Sequence, residues 1–271
     1  MKPTNRFLAA LTVVLLLFSS TVFSQEDAPP EAKYYVVTTM HWNMDNDDFD
    51  MDEWKAVERE FFAKVTSKNE HIIQASYYAH HTSPDNSELL YVQSFPSWDA
   101  IDKAGDRDGE LIMEAWKDEE ARNAFFDKQS AYYSTQHSDE IYRPTIGAKY
   151  FAEPPTEGML LYLRRSHAAR PDDGSGKEFV ELRDAKIARI KNNEHIKGYF
   201  PSAHYYGADS SERLEAFFVN DMEGLGKMYE RNAELAKEAT PDDAAREEKA
   251  KRAGKYVSTH GDTIYTFILG Y

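Results

Sequence analysis

The alternation of apolar and polar residues becomes regular at Tyr34 and predicts a strand followed by an amphipathic helix. Tyr34–Trp42 is rich in β-branched and aromatic residues, which favour strands. Asp52–Lys68 instead carries apolar residues three and four positions apart, which predicts a helix with one buried face. The intervening Asn43–Met51 is rich in aspartate but lacks the glycine and distal glutamate of a calcium-binding loop. We therefore interpret it as a solvated loop.

The pattern continues as a hairpin, a helical region and a final strand. Ile72–His81 and Glu88–Phe95 read as strands, because turn-forming residues separate them. Trp98–Tyr132 is helical in composition, with a break predicted near Gly105–Gly109. A last strand is expected around His137–Tyr142.

The whole pattern occurs twice, and the stretch Asn69-Glu70-His71-Ile72 marks the repeat. It returns as Asn193-Glu194-His195-Ile196, and residues 69–135 match residues 193–259 at 22 of 67 positions. Chance would give roughly 4 identities at typical composition. Asn69 and Asn193 are predicted to end a helix in the left-handed conformation. Pro241 is predicted to begin a new helix in the second copy.

Each copy has the order strand, helix, strand, strand, helix, strand, which is the ferredoxin-like order. We predict an α+β protein, a tandem duplication of two ferredoxin-like βαββαβ units that form one pseudo-dimeric α+β barrel. The expected segments are a signal peptide (1–24), a mature N-terminal tail (25–33), repeat 1 (34–143), a linker (144–157) and repeat 2 (158–271).

The N-terminus has the layout of a secretory signal peptide. Lys2 and Arg6 precede the apolar run Phe7–Phe18, and the small residue Ser24 follows at the expected cleavage point. The run is shorter than the roughly 20 residues that span a bilayer. We expect export to the periplasm or the extracellular space. The chain has no cysteine, so its core and not disulfides must hold it together.

The charge balance narrows the classes of partner. Without Lys2 and Arg6 the chain has 30 basic and 47 acidic residues, a net charge of −17. Such a charge argues against nucleic acid and anionic membrane surfaces. We expect no nucleic-acid partner and no stable membrane insertion after signal cleavage. The chain is expected to be a monomer with pseudo-two-fold symmetry or a homodimer.

Histidines are the most suggestive polar residues, because six of the nine form three duplicated pairs. His71 and His195 follow the helix end and are interpreted as structural. The duplication of the histidines has two possible explanations. The two repeats can have inherited the same structural residues, or the histidines can form a pseudo-symmetric pair of functional sites. Strand alternation places Tyr78 and His80 on one face that mixes polar and aromatic residues, which would suit a ligand cavity. The candidate ligand-binding residues are therefore Tyr78, His80, His137, His204 and His260.

Motifs that carry known chemistry are missing from the sequence. It has no Gly-x-Ser-x-Gly elbow, no phosphate-binding glycine loop and no His-Glu-x-x-His metal motif. His80 and His81 are adjacent, so in a strand they point to opposite faces and cannot chelate one ion. No catalytic residue and no metal ligand is assigned, and whether the chain is an enzyme stays open.

The element order and the duplication resemble those of the dimeric α+β barrel superfamily, here with two repeats fused in one chain. The resemblance implies a function among cofactor-free monooxygenases, haem-degrading enzymes, haem peroxidases, chlorite dismutase-like proteins and members without known activity. Haem-peroxidase branches use a histidine on a helix of the later repeat, but no histidine occurs between Gly207 and Ser258. Trp42 and Asn43 match the haem-degrading branch only in residue type. The cofactor is thus unknown, and haem is disfavoured.

Two functional hypotheses follow. The first is a stress-associated or binding protein that holds a small organic ligand in the barrel without catalysis. The alternative is an oxidoreductase, either cofactor-free and monooxygenase-like or haem-dependent, with its site inside the barrel.

Overall fold

The computed structural model describes residues 31–271, so the predicted signal peptide and most of the N-terminal tail lie outside the described residues. Within this range the elements follow the predicted order. The strands are β1 (Tyr34–Trp42), β2 (Gln74–Thr82), β3 (Glu88–Phe95), β4 (Tyr133–Pro144), β5 (Leu160–Ala168), β6 (Gly198–Tyr206), β7 (Glu212–Val219) and β8 (Val257–Gly270). The helices are α1 (Met51–Lys64), α2 (Trp98–Ala115), α3 (Glu119–Ser130), α4 (Gly176–Lys191), α5 (Met222–Ala239) and α6 (Asp243–Gly254).

The eight strands pair antiparallel and close into one barrel in the order β1-β3-β2-β8-β5-β7-β6-β4. Within each repeat the order is fourth, first, third, second strand, as the ferredoxin-like prediction requires. Two seams join the repeats, one between β2 and β8 and the other between β4 and β6. The predicted fold class, a pseudo-dimeric α+β barrel of two fused repeats, is confirmed. Both hairpin turns, residues 83–87 and 207–211, lie at the same end of the barrel, which we call the hairpin end.

The interior of the barrel is filled by side chains from both repeats. Aliphatic residues and aromatic rings of all eight strands contribute, and Phe151 of the connection between the repeats packs against Phe218 at 4.8 Å between ring centroids. Fully burying one such side chain stabilises the fold by about 1.5–3 kcal/mol. The buried members are Val37, Tyr78, Leu90, Tyr142, Leu161, Leu163, Leu214, Phe218, Tyr265 and Phe267.

The helices cover the outer face of the barrel. α1 begins where the Asp50 carboxylate accepts hydrogen bonds from the backbone amides of Asp52 and Glu53, both at 2.8 Å. Its apolar face buries Trp54, Val57 and Phe62 against the sheet of repeat 1. The aspartate-rich loop thus supplies the N-cap of this helix.

Asn69 and Asn193 are not in the left-handed conformation, so that prediction is wrong. Asn69 has φ −83° and ψ 104°, and no residue other than glycine has a positive φ within residues 31–271. The buried Asn69 amide instead donates to the Ala104 carbonyl at 2.9 Å and the Asp108 carboxylate at 2.7 Å. Asn193 repeats this on α5, donating to the Met228 carbonyl at 2.8 Å. The duplicated motif therefore fastens the chain after the first helix of each repeat to the second.

The break in the long helical region is not at Gly105–Gly109 but at residues 116–118. Both glycines lie inside α2, and α3 begins after the Asp118 side chain accepts from the Ala121 amide at 2.8 Å. The second copy breaks at the equivalent positions 240–242, where Asp242 caps α6. Pro241 immediately precedes that cap.

The connection between the repeats continues the barrel edge before it turns into β5. The Thr145 amide donates to the Pro201 carbonyl at 2.8 Å, and Lys149 pairs with Tyr199 of β6.

Between residues 31 and 271, no helix combines the length and apolar character needed to cross a membrane.

Candidate functional site

Four histidines face the barrel interior at its hairpin end. His41 lies opposite Glu88 in the β1–β3 register, and His167 lies opposite Glu212 in the β5–β7 register. His80 and His204 follow on the interior faces of β2 and β6. His41 and His167 form a fourth duplicated pair, which the sequence comparison missed because β1 and β5 are offset by 126 residues and not by 124.

Tyr78 lies deeper in the barrel and is part of its core. Its ring packs against Phe218 and Phe267 at centroid distances of 6.0 and 5.7 Å. Burial raises the pKa of Tyr78 to about 12. Tyr78 therefore packs the two repeats together.

The titratable groups at the hairpin end bond to one another across a seam. His204 Nε2 lies 3.0 Å from Glu140 Oε2, and the His204 side chain is 4 % exposed. Glu212 accepts hydrogen bonds from the Tyr142 hydroxyl and from Arg165, the latter at 3.0 Å. Because these groups satisfy one another, they join β4 to the strands of repeat 2.

The second seam has a simpler version of the same arrangement. The Tyr265 hydroxyl donates to Glu88 at 3.0 Å, and His80 Nδ1 lies 2.8 Å from the Ser83 hydroxyl. Tyr78 is thus part of the packed core, and His80 bonds within its own hairpin.

His137 and His260 are on the outer face and not in the barrel. His137 is opposite Met40 and His260 is opposite Ser166, both residues of the outer face. Their side chains are 61 % and 50 % exposed, and each has a nearby aspartate, Asp139 and Asp262. The structure therefore does not bring them together with His80 and His204.

A cleft lies between α3 and the outer face of the repeat 1 sheet, and we call it the outer cleft. Its volume is about 550 Å³. Tyr77 and Tyr91 form its base and stack at 4.5 Å between centroids. Its other lining residues are Thr38, Met40, Phe126, Asp127, Gln129, Ser130, Tyr133, Ser134, Gln136 and His137. His137 is the one predicted site residue that lines this cleft.

A fully buried carboxyl group, Glu58 of α1, lies behind the outer cleft. It accepts from the Tyr133 hydroxyl at 2.6 Å, the Tyr77 hydroxyl at 3.1 Å and the Gln129 amide at 3.0 and 3.1 Å. Burial raises the pKa of Glu58, while the three hydrogen bonds oppose this effect. No cation is among these partners, so the carboxyl group can hold a proton at a smaller cost than an exposed glutamate.

Repeat 2 has not kept this arrangement. Where repeat 1 has Glu58, Tyr77, Gln129 and Tyr133, the equivalent residues in repeat 2 are Arg183, Pro201, Ala253 and Val257. A carboxyl group with three donors therefore cannot form there. The buried acid behind the outer cleft is therefore not repeated at the equivalent positions of repeat 2.

The residues present do not fit a haem iron held from a helix of the second repeat. α4, α5 and α6 carry no histidine, cysteine or tyrosine ligand other than Tyr229, which packs on Tyr162 at 6.0 Å. Within residues 31–271, no group of three or more histidine or acidic side chains is placed to hold a metal ion.

Glu58, Gln129 and Tyr133 are not among the site residues predicted from the sequence. They are separated by up to 75 positions, so no local motif contains them. One signal was present: position 58 lies on the apolar face of α1, next to Val57 and four residues before Phe62, where a charged residue needs partners.

Comparison with known proteins supports the fold and gives no closer assignment. No protein-family model matches the chain. No curated protein matches it either. Among solved structures, a candidate monooxygenase from Fusobacterium nucleatum subsp. nucleatum ATCC 25586 has 9 % identity and a TM-score of 0.58, over 88 % of this chain and 94 % of that one.

Two further structures are similar in the same way. A candidate monooxygenase from Lactobacillus acidophilus NCFM has 8 % identity and a TM-score of 0.53, over 88 % of this chain and 94 % of that one. A variant of chlorite dismutase from Candidatus Nitrospira defluvii has 9 % identity and a TM-score of 0.54, over 88 % and 92 %. At such identities the likeness concerns the fold alone. The chain therefore has the dimeric α+β barrel fold, with both halves of the barrel in one polypeptide.

Proposed function

We propose that this chain binds a small, largely planar organic molecule in the outer cleft of repeat 1. The observation that carries the proposal is a concave space of about 550 Å³ with a base of stacked tyrosines and a few polar groups on its walls. Small-ligand sites typically have this size and combine apolar walls with few polar groups. Gln129 and His137 would orient such a ligand.

The divergence of the two repeats supports a single site per chain. The equivalents of Phe126 and Ser130 in repeat 2 are Ala250 and Gly254, so the wall formed by α3 has lost its side chains on α6. One ligand per chain is what this asymmetry predicts.

Export is part of the proposal, because a charged start, an apolar run and a small residue precede the described residues. N-terminal sequencing of the protein recovered outside the cytoplasm is the direct test. A chain that still begins at Met1 would contradict it.

Ligand-observed NMR with one-ring and two-ring aromatic compounds tests the binding proposal. We expect saturable binding of at least one compound, with one molecule per chain. Ser130→Trp would block the cleft and weaken this binding at least tenfold, about 1.4 kcal/mol. Gly254→Trp is the matched control, because it adds the same ring at the equivalent position of α6, where an added Cβ meets nothing within 4 Å. Equal affinity in both variants, or no saturable binding to the wild type, would overturn the proposal.

A second candidate function is an oxidoreductase that needs no bound cofactor. Glu58 favours it, since a buried acid behind a cleft can accept a proton from an acidic substrate. Anthrone is a suitable probe: its methylene carbon would lose two hydrogens and gain one oxygen atom of O₂, and the other oxygen would leave as water. Oxygen uptake that the wild type accelerates and Glu58→Gln does not would support this candidate. Equal uptake with and without protein would reject it.

A further inference from the structure

The carboxyl group of Glu58 is at the end of a short chain of hydrogen bonds that begins at the wall of the outer cleft. Tyr133, Tyr77 and Gln129 line the cleft, and all three donate to Glu58. The acid itself is 0 % exposed. Any chemistry that Glu58 performs on a ligand must therefore pass through one of these side chains.

The hydroxyl of Tyr133 already donates its hydrogen, so its oxygen can only accept a further hydrogen bond. A tyrosine hydroxyl offers one hydrogen and accepts two hydrogen bonds. The Tyr133 hydrogen goes to Glu58 at 2.6 Å, and the indole of Trp54 donates to the Tyr133 oxygen at 2.8 Å. A ligand that reaches this oxygen must bring its own hydrogen.

We propose that the ligand of the outer cleft carries an ionisable hydroxyl, as a phenol or an enol, and that Glu58 receives its proton through Tyr133. This inference rests on the proposed function, since it takes the outer cleft as the site.

The transfer balances without a further reactant. The ligand O–H bond breaks and its proton forms a bond to the Tyr133 oxygen, while the Tyr133 proton moves to Glu58 Oε1. Tyr133 is neutral before and after, Glu58 becomes a carboxylic acid, and the ligand becomes a phenolate or an enolate. The Glu58 hydroxyl then donates to Tyr133, and Tyr133 donates to the ligand anion, so each hydrogen bond persists with its direction reversed.

The surroundings suit this transfer. Burial, and then the nearby Glu58 charge, raise the pKa of Tyr133 well above its usual value, so Tyr133 conducts the proton and does not keep the charge. Tyr77 and Gln129 continue to donate to Glu58, which fixes the orientation of the carboxyl group. Besides the tyrosines, the titratable residues that line the cleft are Asp127 and His137.

The probe for the test is 4-nitrophenol, because its phenol and phenolate absorb at different wavelengths. We expect the bound probe to be at least about tenfold more ionised than the free probe at the same pH, which corresponds to one pKa unit. Glu58→Gln and Tyr133→Phe should each remove this shift. The methyl ether 4-nitroanisole has no proton to transfer, so it is the control ligand for the wild type.

A measurement on the wild type keeps the test independent of how well the variants fold. Infrared difference spectra should show a new protonated carboxyl band when 4-nitrophenol binds and none when 4-nitroanisole binds. Binding of both compounds without the band, or a shift that persists in Tyr133→Phe, would overturn the relay and leave the proposed function intact. Failure of both compounds to compete for a site that Ser130→Trp blocks would instead count against the proposed function.

Discussion

Tyr142 of repeat 1 donates a hydrogen bond to Glu212 of repeat 2. The equivalent tyrosine of repeat 2, Tyr265, donates a hydrogen bond to Glu88 of repeat 1. Each tyrosine lies on the last strand of its repeat and each glutamate on the third strand of the other. The two bonds are related by the pseudo-two-fold axis of the barrel. The seams are therefore fastened by a duplicated pair of polar contacts on the inside of an otherwise apolar barrel.

The first prediction concerns the better-connected seam. Tyr142→Phe would remove a hydroxyl that donates to Glu212 and accepts from Arg165 at 3.2 Å. Buried charged groups that lose a partner typically cost about 1–3 kcal/mol. We expect the free energy of unfolding in urea to fall by that amount.

Tyr265→Phe should cost less, about 1 kcal/mol, because the Tyr265 hydroxyl lacks the additional hydrogen bond that Arg165 donates to Tyr142. Tyr206→Phe is the control: this side chain is 67 % exposed, and its substitution should change the free energy of unfolding by less than about 0.5 kcal/mol. If Tyr142→Phe behaved like this control, the seam bonds would contribute nothing to stability.

The order of elements followed from the sequence, and so did several of their bounds. β3 and β7 begin and end where alternation and the flanking turn residues placed them, at Glu88–Phe95 and Glu212–Val219. The helix break predicted at Gly105–Gly109 is wrong because α2 continues through both glycines. Pro241 in the second copy, shifted back by 124 residues, would have pointed to the correct position at Lys117.

The contacts across the seams could not be predicted in the same way. The alternation of β2 placed Tyr78 and His80 on one face, but it does not say which strand of the other repeat lies opposite. A register shift between Ile141 and Tyr142 brings Tyr142 opposite His204, and the seam between β2 and β8 has a similar shift. Such register shifts depend on how eight strands close into a barrel, so the alternation of residues within one strand does not predict them.

The second prediction concerns the duplicated asparagines. Asn69→Ala and Asn193→Ala would each leave a helix carbonyl and a backbone amide without their side-chain partner, in an environment that is 3 % or less exposed. We expect a loss of about 2–3 kcal/mol for each. Urea unfolding of the single and double variants is the measurement.

The two losses should add, because the sites are in different repeats and share no partner. Glu70→Ala is a control at the neighbouring position, because it removes only exposed contacts, with Arg107 at 3.2 Å and with His71 at 3.9 Å. It should cost less than about 1 kcal/mol. An Asn69→Ala variant as stable as Glu70→Ala would show that the motif does not fasten the helices.

The third prediction uses the raised pKa of Glu58. Burial holds the pKa of this carboxyl group above its usual value in the folded protein, whereas the unfolded chain exposes the group to water. Between the two values the folded state binds more protons than the unfolded state, so Glu58 lowers stability as pH rises through that window. Glu58→Gln does not titrate and should lose this decline.

The comparison is the free energy of unfolding of wild type and Glu58→Gln from pH 4 upward, an interval that begins just below the ordinary glutamate pKa of about 4.3. The difference between the two proteins should shift in favour of the variant as pH rises, and then level off. Glu60→Gln on the same helix, where the side chain is 44 % exposed, controls for the removal of one charge. A difference that stays constant with pH would show that Glu58 is not held in a proton-retaining environment.

The fourth prediction separates backbone strain from a steric clash at the hairpin end. Gly207 has φ +137°, and a Cβ there would lie within 3 Å of the Glu140 carboxyl group that holds His204. Gly158 also has a positive φ, +91°, but a Cβ there meets nothing within 4 Å. Gly158→Ala should therefore cost only the strain of the left-handed backbone, about 1 kcal/mol. Gly207→Ala should cost this strain and also displace Glu140, for a total of about 2–4 kcal/mol.

If the Glu140 contact matters, Glu140→Ala should make the additional cost of Gly207→Ala disappear. Both glycine substitutions should then lower the free energy of unfolding in urea by the same amount. Equal costs already in the wild-type background would instead mean that Glu140 moves aside freely and does not fix His204.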